Sequence, residues 1–417
     1  MKHWLSLLLL AMLPSALRSQ QATDSAWRAD VKSVLLYSGA TGDDPRAALP
    51  VPVLTLGENA RLTLEFDILG TQPEELRWSV RHCSRFWYPD SLLPEEYLSG
   101  FAEGSVEDYD FSFTTLTSYV HYRCVLPDHF ASFSHSGNYL LSVLAPDNSV
   151  LLTRRFCVSE QSVPVKMQCT RPYDGIDIDR RQEVDLAVES RQRPEYLTAV
   201  LQQNGRLDNL RVLQFSGYDG SALAYGHRQE NIFYAGNTFR FFDCSNLRSP
   251  MYNVARIETY GGETFAMLRP DEDRSRKHYL SETTLNGGMK INVWDRNNPR
   301  LEADYVWVNI TLPAAQPFLD GKVYVVGALT DWKLDSTALM DYNPQLRAYT
   351  KRLLLKQGYY AYQLLFVGGG FSPLHSKTAR LEGDHRETPN RYTAYLYLRT
   401  PADRADRLVA VHSVVGR

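Results

Sequence analysis

Short segments in which apolar and polar residues alternate recur along the chain, and turn residues separate them. The clearest is RLTLEFDIL at residues 61–69, where the four apolar side chains share one face of a half-buried strand. Residues 198–203 and 207–213 flank an Asn-Gly pair at 204–205, which is a strong hairpin-turn signal. Because no segment has a strong helical period, the sequence predicts an all-β protein.

The strand segments group into three consecutive β-sandwich domains of immunoglobulin-like or early-set-like type. The paired apolar runs of residues 138–159 predict a hairpin that closes the first domain, which we place at residues 20–160. Strand and turn signals then continue through a middle sandwich at residues 161–313. The remaining residues, 314–417, are similar in strand order to early-set immunoglobulin-like modules related to glycogen-binding domains.

Residues 1–19 have the pattern of a secretory signal peptide. Lys2 precedes an apolar run at residues 5–13, and Pro14 with small or polar residues follows it. This run is much shorter than the ~20 residues that a membrane-spanning helix needs. No cysteine lies near the predicted cleavage at Ser19 to accept a lipid. We therefore expect an exported, soluble protein without direct membrane insertion.

The composition and the motifs argue against several classes of function. A formal net charge of -3 provides no electrostatic attraction to nucleic acid or to an anionic membrane. The sequence has no GxSxG, HExxH or GxxxxGK[ST] motif, and no GxGxxG after a strand. Its ten histidines have no Cys or His partner at metal-ligand spacing. We therefore expect a non-enzymatic protein with no catalytic residue, no cofactor and no metal.

Two polar motifs each allow two interpretations. The three aspartates of DGIDID at residues 174–179 are either oxygen ligands of a calcium ion or part of a solvated loop, since the Gly and distal Glu of an EF-hand are missing. Asn237, Arg240 and Asp243 form either a polar recognition edge or part of a strand whose arginine pairs with a neighbouring carboxylate.

Aromatic and acidic residues are densest between residues 78 and 127. Strand-like segments at both ends flank a middle part that holds Pro89 and Pro94, so the middle cannot be a central strand. A loop of this length is usually functional or disordered, and its aromatic content argues against disorder. We expect a contact surface with these candidate residues: Trp87, Tyr88, Tyr97, Phe101, Tyr109 and Phe111. The alternative is that half or more of these side chains serve the core of the first domain.

The chain has five cysteines, so at least one is unpaired even in an oxidising compartment. Cys83 and Cys124 flank the aromatic stretch, and a disulfide between them is one interpretation. The other is that both are buried as small hydrophobic residues.

Several further segments are long and rich in rare residues. They are TRRFCVSE (153–160), QEVDLAV (182–188), LQQNGRLDN (201–209), YAGNTFRFFD (234–243) and LKQGYYAYQL (355–364). With the aromatic stretch, and in this order, they resemble the plug-protein family of the type IX secretion system of Bacteroidota. The resemblance implies a non-enzymatic periplasmic subunit at the inner face of the outer membrane. It also implies one partner, the large outer-membrane β-barrel translocon, whose periplasmic mouth the subunit seals as a monomer within the complex.

Three tripeptides look like the Asp-Ser/Thr-apolar acceptor pattern for periplasmic O-glycosylation in Bacteroidota. They are centred on Ser25, Ser91 and Ser336. Because Ser91 belongs to the predicted exposed loop, it is the predicted acceptor.

A periplasmic or surface carbohydrate-binding or adhesive module, built on residues 314–417, is the alternative function. It requires that Trp332 and the tyrosines of 359–362 form an exposed stacking platform. Core and turn positions are the other interpretation of these aromatic residues.

Overall fold

The computed structural model describes residues 20–39, 51–58, 60–127, 131–282, 284–369 and 375–416. The predicted signal peptide, residues 1–19, lies outside the described residues. Antiparallel strands dominate the described chain, so the prediction of an all-β sandwich protein is confirmed. None of the helices described is long and apolar enough to cross a membrane.

The first unit is a sandwich of two sheets. One sheet has the order β1-β12-β11-β5-β7, with β3 parallel to β12, and the facing sheet has the order β2-β4-β9-β8. The elements are β1 Ser25–Ala26, β2 Val31–Ser38, β3 Val53–Thr55, β4 Leu62–Leu69, β5 Leu76–Cys83, α1 Pro94–Tyr97, β6 Leu98–Ser99, β7 Glu103–Val106, β8 Asp108–Phe111, β9 Tyr119–Leu126, β10 Ser132–Phe133, β11 Gly137–Leu144 and β12 Val150–Ser159.

The second unit contains another pair of sheets. Its elements along this part of the chain are β13 Val165–Thr170, β14 Arg181–Val188, β15 Leu197–Gln203, β16 Arg211–Leu213, β17 Gly217–Asp219, β18 Ala222–Tyr225 and β19 Ile232–Tyr234. One sheet has the order β13-β14-β18-β17, with β19 also on β14. The predicted turn is present, since both Asn204 and Gly205 have positive φ and the amide of Arg206 donates to the carbonyl of Gln203, but residues 207–209 form a 3-10 turn and the second strand begins only at Arg211.

The third unit follows, and two final strands come after it. The elements are β20 Arg240–Asp243, β21 Val254–Tyr260, β22 Glu263–Leu268, β23 Met289–Ile291, α2 Pro299–Glu302, β24 Tyr305–Pro313, β25 Gly321–Val326, β26 Asp341–Asn343, β27 Ala348–Lys356, β28 Gly358–Gly368, β29 Asn390–Leu398 and β30 Arg407–Gly416. The third unit has one sheet of order β20-β28-β23, with β25 on β28, and one of order β21-β22-β24-β27-β26.

Strand pairing does not follow the predicted division at residues 313 and 314. β24, which ends at that point, pairs along its whole length with β27. The two final strands join the second unit instead, in a sheet of order β16-β15-β29-β30. We therefore propose that residues 240–389 are inserted into the second sandwich. The sequence shows where strands occur, but the choice of partner depends on contacts between distant residues.

The polar face of β4 is buried, which differs from the predicted half-buried strand. Thr63, Glu65 and Asp67 are at most 9% exposed. The third unit covers this face. Lys356 Nζ and the Tyr305 hydroxyl donate to Asp67 Oδ2 at 2.6 and 2.7 Å. Alternation of apolar and polar residues therefore identified the two faces of β4 correctly, but the third unit, and not water, covers the polar face.

The carboxylate of Asp67 is a buried ion-pair centre between the first and third units. Besides Lys356 and Tyr305, it contacts His121 Nδ1 at 2.7 Å through Oδ1. Burial opposes the charge of Asp67, but Lys356 and His121 outweigh this effect and hold its pKa below the ordinary value.

No disulfide joins Cys83 to Cys124, and the five cysteines are free thiols. Cys124 faces the core between the two sheets of the first unit. Cys83 points out of the other side of its sheet, toward Leu408 of the second unit. Burial raises the pKa of both thiols to about 12, so both behave as small buried hydrophobic residues.

Asp208 joins the second and third units through two cations. Its carboxylate accepts hydrogen bonds from Arg206 at 2.7 and 3.0 Å, and it forms an ion pair with Lys377. Burial by itself raises the pKa of Asp208, but the two cations lower it by more than burial raises it, and the resulting pKa is about 2.

We expect the contribution of Asp208 to stability to be lost in acid. A carboxyl whose folded pKa is depressed stabilises the fold above its unfolded pKa, near 4, and this stabilisation disappears as the pH falls through about 2. The shift corresponds to about 2 kcal/mol at neutral pH. Denaturant titrations of the wild type and Asp208→Asn should therefore differ fully at pH 6, and the difference should shrink below pH ~4. A difference that is constant with pH would contradict this assignment.

Candidate partner interface

The aromatic stretch does not fold as one long loop. After β5 the chain forms α1 and β6, and then β7 and β8 add to the edges of the two facing sheets, on β5 and β9 respectively. Residues 84–93, which hold Pro89, and residues 112–118 contain no helix or named strand, and Pro94 begins α1. Strands at the edge of a sheet tolerate charged residues. The acidic composition of residues 103–111 therefore did not indicate that β7 and β8 are strands.

Two of the six candidate residues are buried, so the prediction that they face a partner is wrong. Trp87 is 5% exposed and packs with Tyr395 and Leu408 of the second unit, under the guanidinium of Arg155 at 5.0 Å. Tyr97 is 3% exposed, and its hydroxyl donates to the carbonyl of Val80 at 3.0 Å. These rings close the fold, as the alternative interpretation proposed for part of the set.

The other four candidates are exposed on the first unit. Tyr88 is 47% exposed, Phe101 80%, Tyr109 43% and Phe111 51%. Tyr88 lies beside Trp87 in the segment that meets the second unit, Phe101 precedes β7, and Tyr109 and Phe111 belong to β8. The structure therefore separates Tyr88 and Phe101 from the pair on β8.

We call this pair, together with Phe113 and Leu116 that follow it along the chain, the aromatic edge. Sequence reasoning missed the last two, which are 47% and 60% exposed. Phe113 continues the period-two spacing of Tyr109 and Phe111, and this signal could have identified it.

The aromatic edge is an uncovered continuation of the hydrophobic core. Tyr109 and Phe111 lie opposite Tyr122 and Val120 of β9, and both of these β9 side chains point into the core. The rings of Tyr109 and Phe111 meet edge to face at 6.0 Å, and Tyr109 lies 5.9 Å from Tyr122. β8 is the last strand of its sheet, and the two residues are 43% and 51% exposed.

The third unit holds the aromatic edge in place. The amide of Phe113 donates to the carbonyl of Leu301 at 3.1 Å, next to α2. The amides of Leu116 and Thr117 donate to the carboxylate of Asp304 at 2.6 and 3.0 Å. A surface that is fixed in this way loses little conformational freedom when a partner binds.

Carboxylates surround the aromatic edge. Glu103, Glu107, Asp108 and Asp110 are all exposed. Among the described residues, Asp108 forms a salt bridge with Arg123 at 3.4 Å, and Glu103 forms one with Arg77 at 3.6 Å. Apolar side chains with a polar rim are the usual composition of a protein interface. The charges also discourage unwanted pairing of the free strand edge.

A cavity of ≈ 680 Å³, lined by both charged and apolar residues, lies where the three units meet. Much of its charge is held in ion pairs, such as Arg155 with Asp24 at 2.6 Å and Arg154 with Asp331 at 3.0 Å. These pairs join β12 to the N-terminal segment and to the third unit. The arrangement accounts for cohesion between the units and does not resemble a nucleophile with its base.

The aromatic residues proposed for sugar binding do not form a platform. Trp332 is half-buried and lies edge-on to Phe239 at 6.0 Å, and it packs so closely on Gly287 that a Cβ there would lie 2.2 Å from the indole. Tyr360 and Tyr362 are buried in the core of the third unit.

Two other predicted sites differ in accessibility. Ser91 is exposed and stays the predicted glycosylation acceptor, whereas Ser25 is 5% exposed and is unsuitable. In the DGIDID segment, Asp174 accepts a hydrogen bond from Arg181 at 2.8 Å. It is therefore used in an ion pair, and the three aspartates do not form a ligand group in the described chain. Likewise Arg240 pairs with Glu382 and Asp271, which favours the structural interpretation of that motif.

Comparison with known proteins agrees with this architecture. A solved structure of a hypothetical protein from Parabacteroides merdae is similar over 95% of this chain and 100% of its own, with 29% identity and a TM-score of 0.89. Two other solved structures are too dissimilar to carry an argument. An alkylpurine DNA glycosylase from Pseudomonas fluorescens has 14% identity and a TM-score of 0.16, over 31% of this chain and 30% of its own. An ICAM-5 ectodomain fragment has 10% identity and a TM-score of 0.13, over 92% of this chain and 99% of its own. No curated protein matches the chain.

The family model matches the first unit, which carries the aromatic edge. The model of the type 9 secretion system plug protein 1st domain matches residues 31–160, from the start of β2 to the end of β12. The family recognised from the sequence is thereby confirmed. Residues 31–160 of the chain thus match the first domain of the type IX secretion system plug protein family.

Proposed function

We propose that the protein is a non-enzymatic plug that seals the periplasmic mouth of the outer-membrane translocon barrel of type IX secretion. It acts in the periplasm, at the inner face of the outer membrane, as a monomer within the complex. The observation that carries this proposal is the coincidence of the family match with an exposed aromatic edge on the same sandwich.

The aromatic edge is the proposed contact with the barrel. A seal has to exclude water, and interface hot spots are rich in large aromatic side chains that a polar rim surrounds. Tyr109, Phe111 and Phe113 have this composition, with Asp108 and Asp110 between and beside them. β8 also offers a free strand edge, which a strand of a β-rich partner can extend.

The contacts between the first and third units support the same role. The aromatic edge is bonded to Leu301 and Asp304 of the third unit, and the first unit is joined to it by the Asp67–Lys356 ion pair. A plug that must resist passage through a wide pore benefits from units that do not move separately. Sealing a pore in this way requires broad contact with the barrel and no catalytic step.

The triple variant Tyr109→Ala, Phe111→Ala and Phe113→Ala tests the contact. We expect it to fold, because all three residues are about half exposed and lie at the edge of the sandwich. Its affinity for the barrel should fall by about 100-fold or more, since hot-spot truncations each cost ~2 kcal/mol. Co-purification from solubilised outer membranes measures the association, and uptake of large antibiotics reports the seal.

A matched variant controls for the loss of exposed apolar surface. Tyr218→Ala, Tyr260→Ala and Leu319→Ala removes three exposed side chains of the second and third units. This variant should retain the barrel and the seal. If the edge variant is folded and still co-purifies fully with the barrel, with no added permeability, the aromatic edge is not the contact surface.

A further inference from the structure

Three side chains with metal-ligand chemistry converge on the outer face of β14, in the second unit. Glu183 and Asp185 lie two residues apart on this strand and therefore point to the same side. His227 comes from the segment between β18 and β19, which crosses the strand where its pairing changes from one neighbour to the other. The trio lies far along the chain from the aromatic edge.

The distances suit one shared ion. Nδ1 of His227 is 3.1 Å from Oε1 of Glu183, and the ligand atoms of all three residues lie within 4.8 Å of one another. Carboxylate oxygens and imidazole nitrogens that bind one zinc ion at 2.0–2.2 Å are separated by about 3.3 Å. Small side-chain rotations would therefore bring the three atoms to bonding distance.

The backbone is built to hold His227 at this position. Its amide donates to Glu183 Oε1 at 3.0 Å and to Asp185 Oδ1 at 3.3 Å. The preceding Gly226 lies so close that a Cβ would meet Asp185 Oδ1 at 2.6 Å. On the other side, the amide of Tyr173 donates to Glu183 Oε2 at 2.6 Å and orients that carboxylate toward the histidine.

The charges in the trio are not balanced by the described part of the chain. Glu183 is fully buried, and its single ion-pair partner among the described residues is the imidazole of His227. Asp185, beside it, has no lysine or arginine partner within the same residues. Buried carboxylates are normally paired with cations or bound to metals.

We propose that Glu183, Asp185 and His227 bind one divalent transition-metal ion, with Zn²⁺ as the best match. Two oxygen ligands and one imidazole nitrogen suit a first-row ion, whereas Ca²⁺ and Mg²⁺ prefer oxygen ligands alone. The side chain of His227 is 74% exposed, so the remaining coordination positions face solvent. The ion fastens residues 226–231 to β14 and thereby supports the strand where its pairing changes.

Titration of tag-free, EDTA-treated full-length protein with ZnCl₂ tests the site. Calorimetry should show one saturable equivalent, and Co²⁺ should develop the visible absorption of a bound ion. Zn²⁺ should also raise the thermal midpoint. Absence of saturable binding at 1 mM, a concentration on the order of weak divalent-cation sites, would overturn the proposal.

Isosteric variants locate the ion. Glu183→Gln with Asp185→Asn should abolish binding, and His227→Asn should weaken it at least about 10-fold, as loss of metal-site groups does. Asparagine tolerates the positive φ of +54° at position 227, so this variant keeps the backbone. His412→Ala removes an exposed histidine of β30 and should bind like the wild type. Undiminished binding in the Glu183→Gln, Asp185→Asn variant would show that the ion lies elsewhere.

Discussion

Replacing Lys356 by Ala should lower the free energy of unfolding by about 3–5 kcal/mol, the usual cost of breaking a buried ion pair. Asp67 is fully buried, and in this variant it loses its main cation. Tyr305 and His121 remain as hydrogen-bonding partners, but they cannot replace a full charge. Denaturant unfolding at neutral pH measures the loss.

Lys166 is the matched control for Lys356. It forms an ion pair of similar length with Glu189, 2.7 Å, but its side chain is 77% exposed. Exposed pairs contribute only about 0–1 kcal/mol because water screens them. If Lys356→Ala and Lys166→Ala have equal effects, the Asp67 network does not hold the first and third units together.

Replacing Trp87 by Ala should destabilise the protein by about 3–5 kcal/mol, as truncation of a buried tryptophan does. The ring fills the contact between the first and second units, against Tyr395 and Leu408. Its loss leaves a cavity and removes the stacked partner of Arg155. We therefore also expect faster limited proteolysis between the two units, measured at temperatures where the variant stays folded.

The neighbouring Tyr88 provides the comparison within one dipeptide. It is 47% exposed, so Tyr88→Ala should change the free energy of unfolding by less than about 1 kcal/mol. Equal losses for the Trp87 and Tyr88 variants would contradict the inward position of Trp87.

The candidate interface could be predicted only in part. Density of aromatic and acidic residues identified a stretch in which Phe101, Tyr109 and Phe111 are exposed. The same criterion could not separate these residues from Trp87 and Tyr97. Aromatic side chains are equally suited to a core and to an interface, so composition alone does not decide between the two.

The proposed metal site also could not be predicted from the sequence. Glu183 and Asp185 are close in sequence, but His227 is separated from Glu183 by 44 residues, and no spacing rule connects them. The search for ligand spacing instead drew attention to the DGIDID segment, whose first aspartate pairs with Arg181. Only strand pairing brings the histidine to the carboxylates.

The sequence by itself predicted many of the strands and the two faces of β4, because period-two alternation is a local property of the chain. Tertiary structure alone decided which strands pair. It placed β29 and β30 beside β15, and it turned the polar face of β4 toward Lys356, 289 residues from Asp67. The reason is physical: a strand exposes the same hydrogen-bonding groups to any neighbour, so its partner is chosen by side-chain packing and charge across the whole fold.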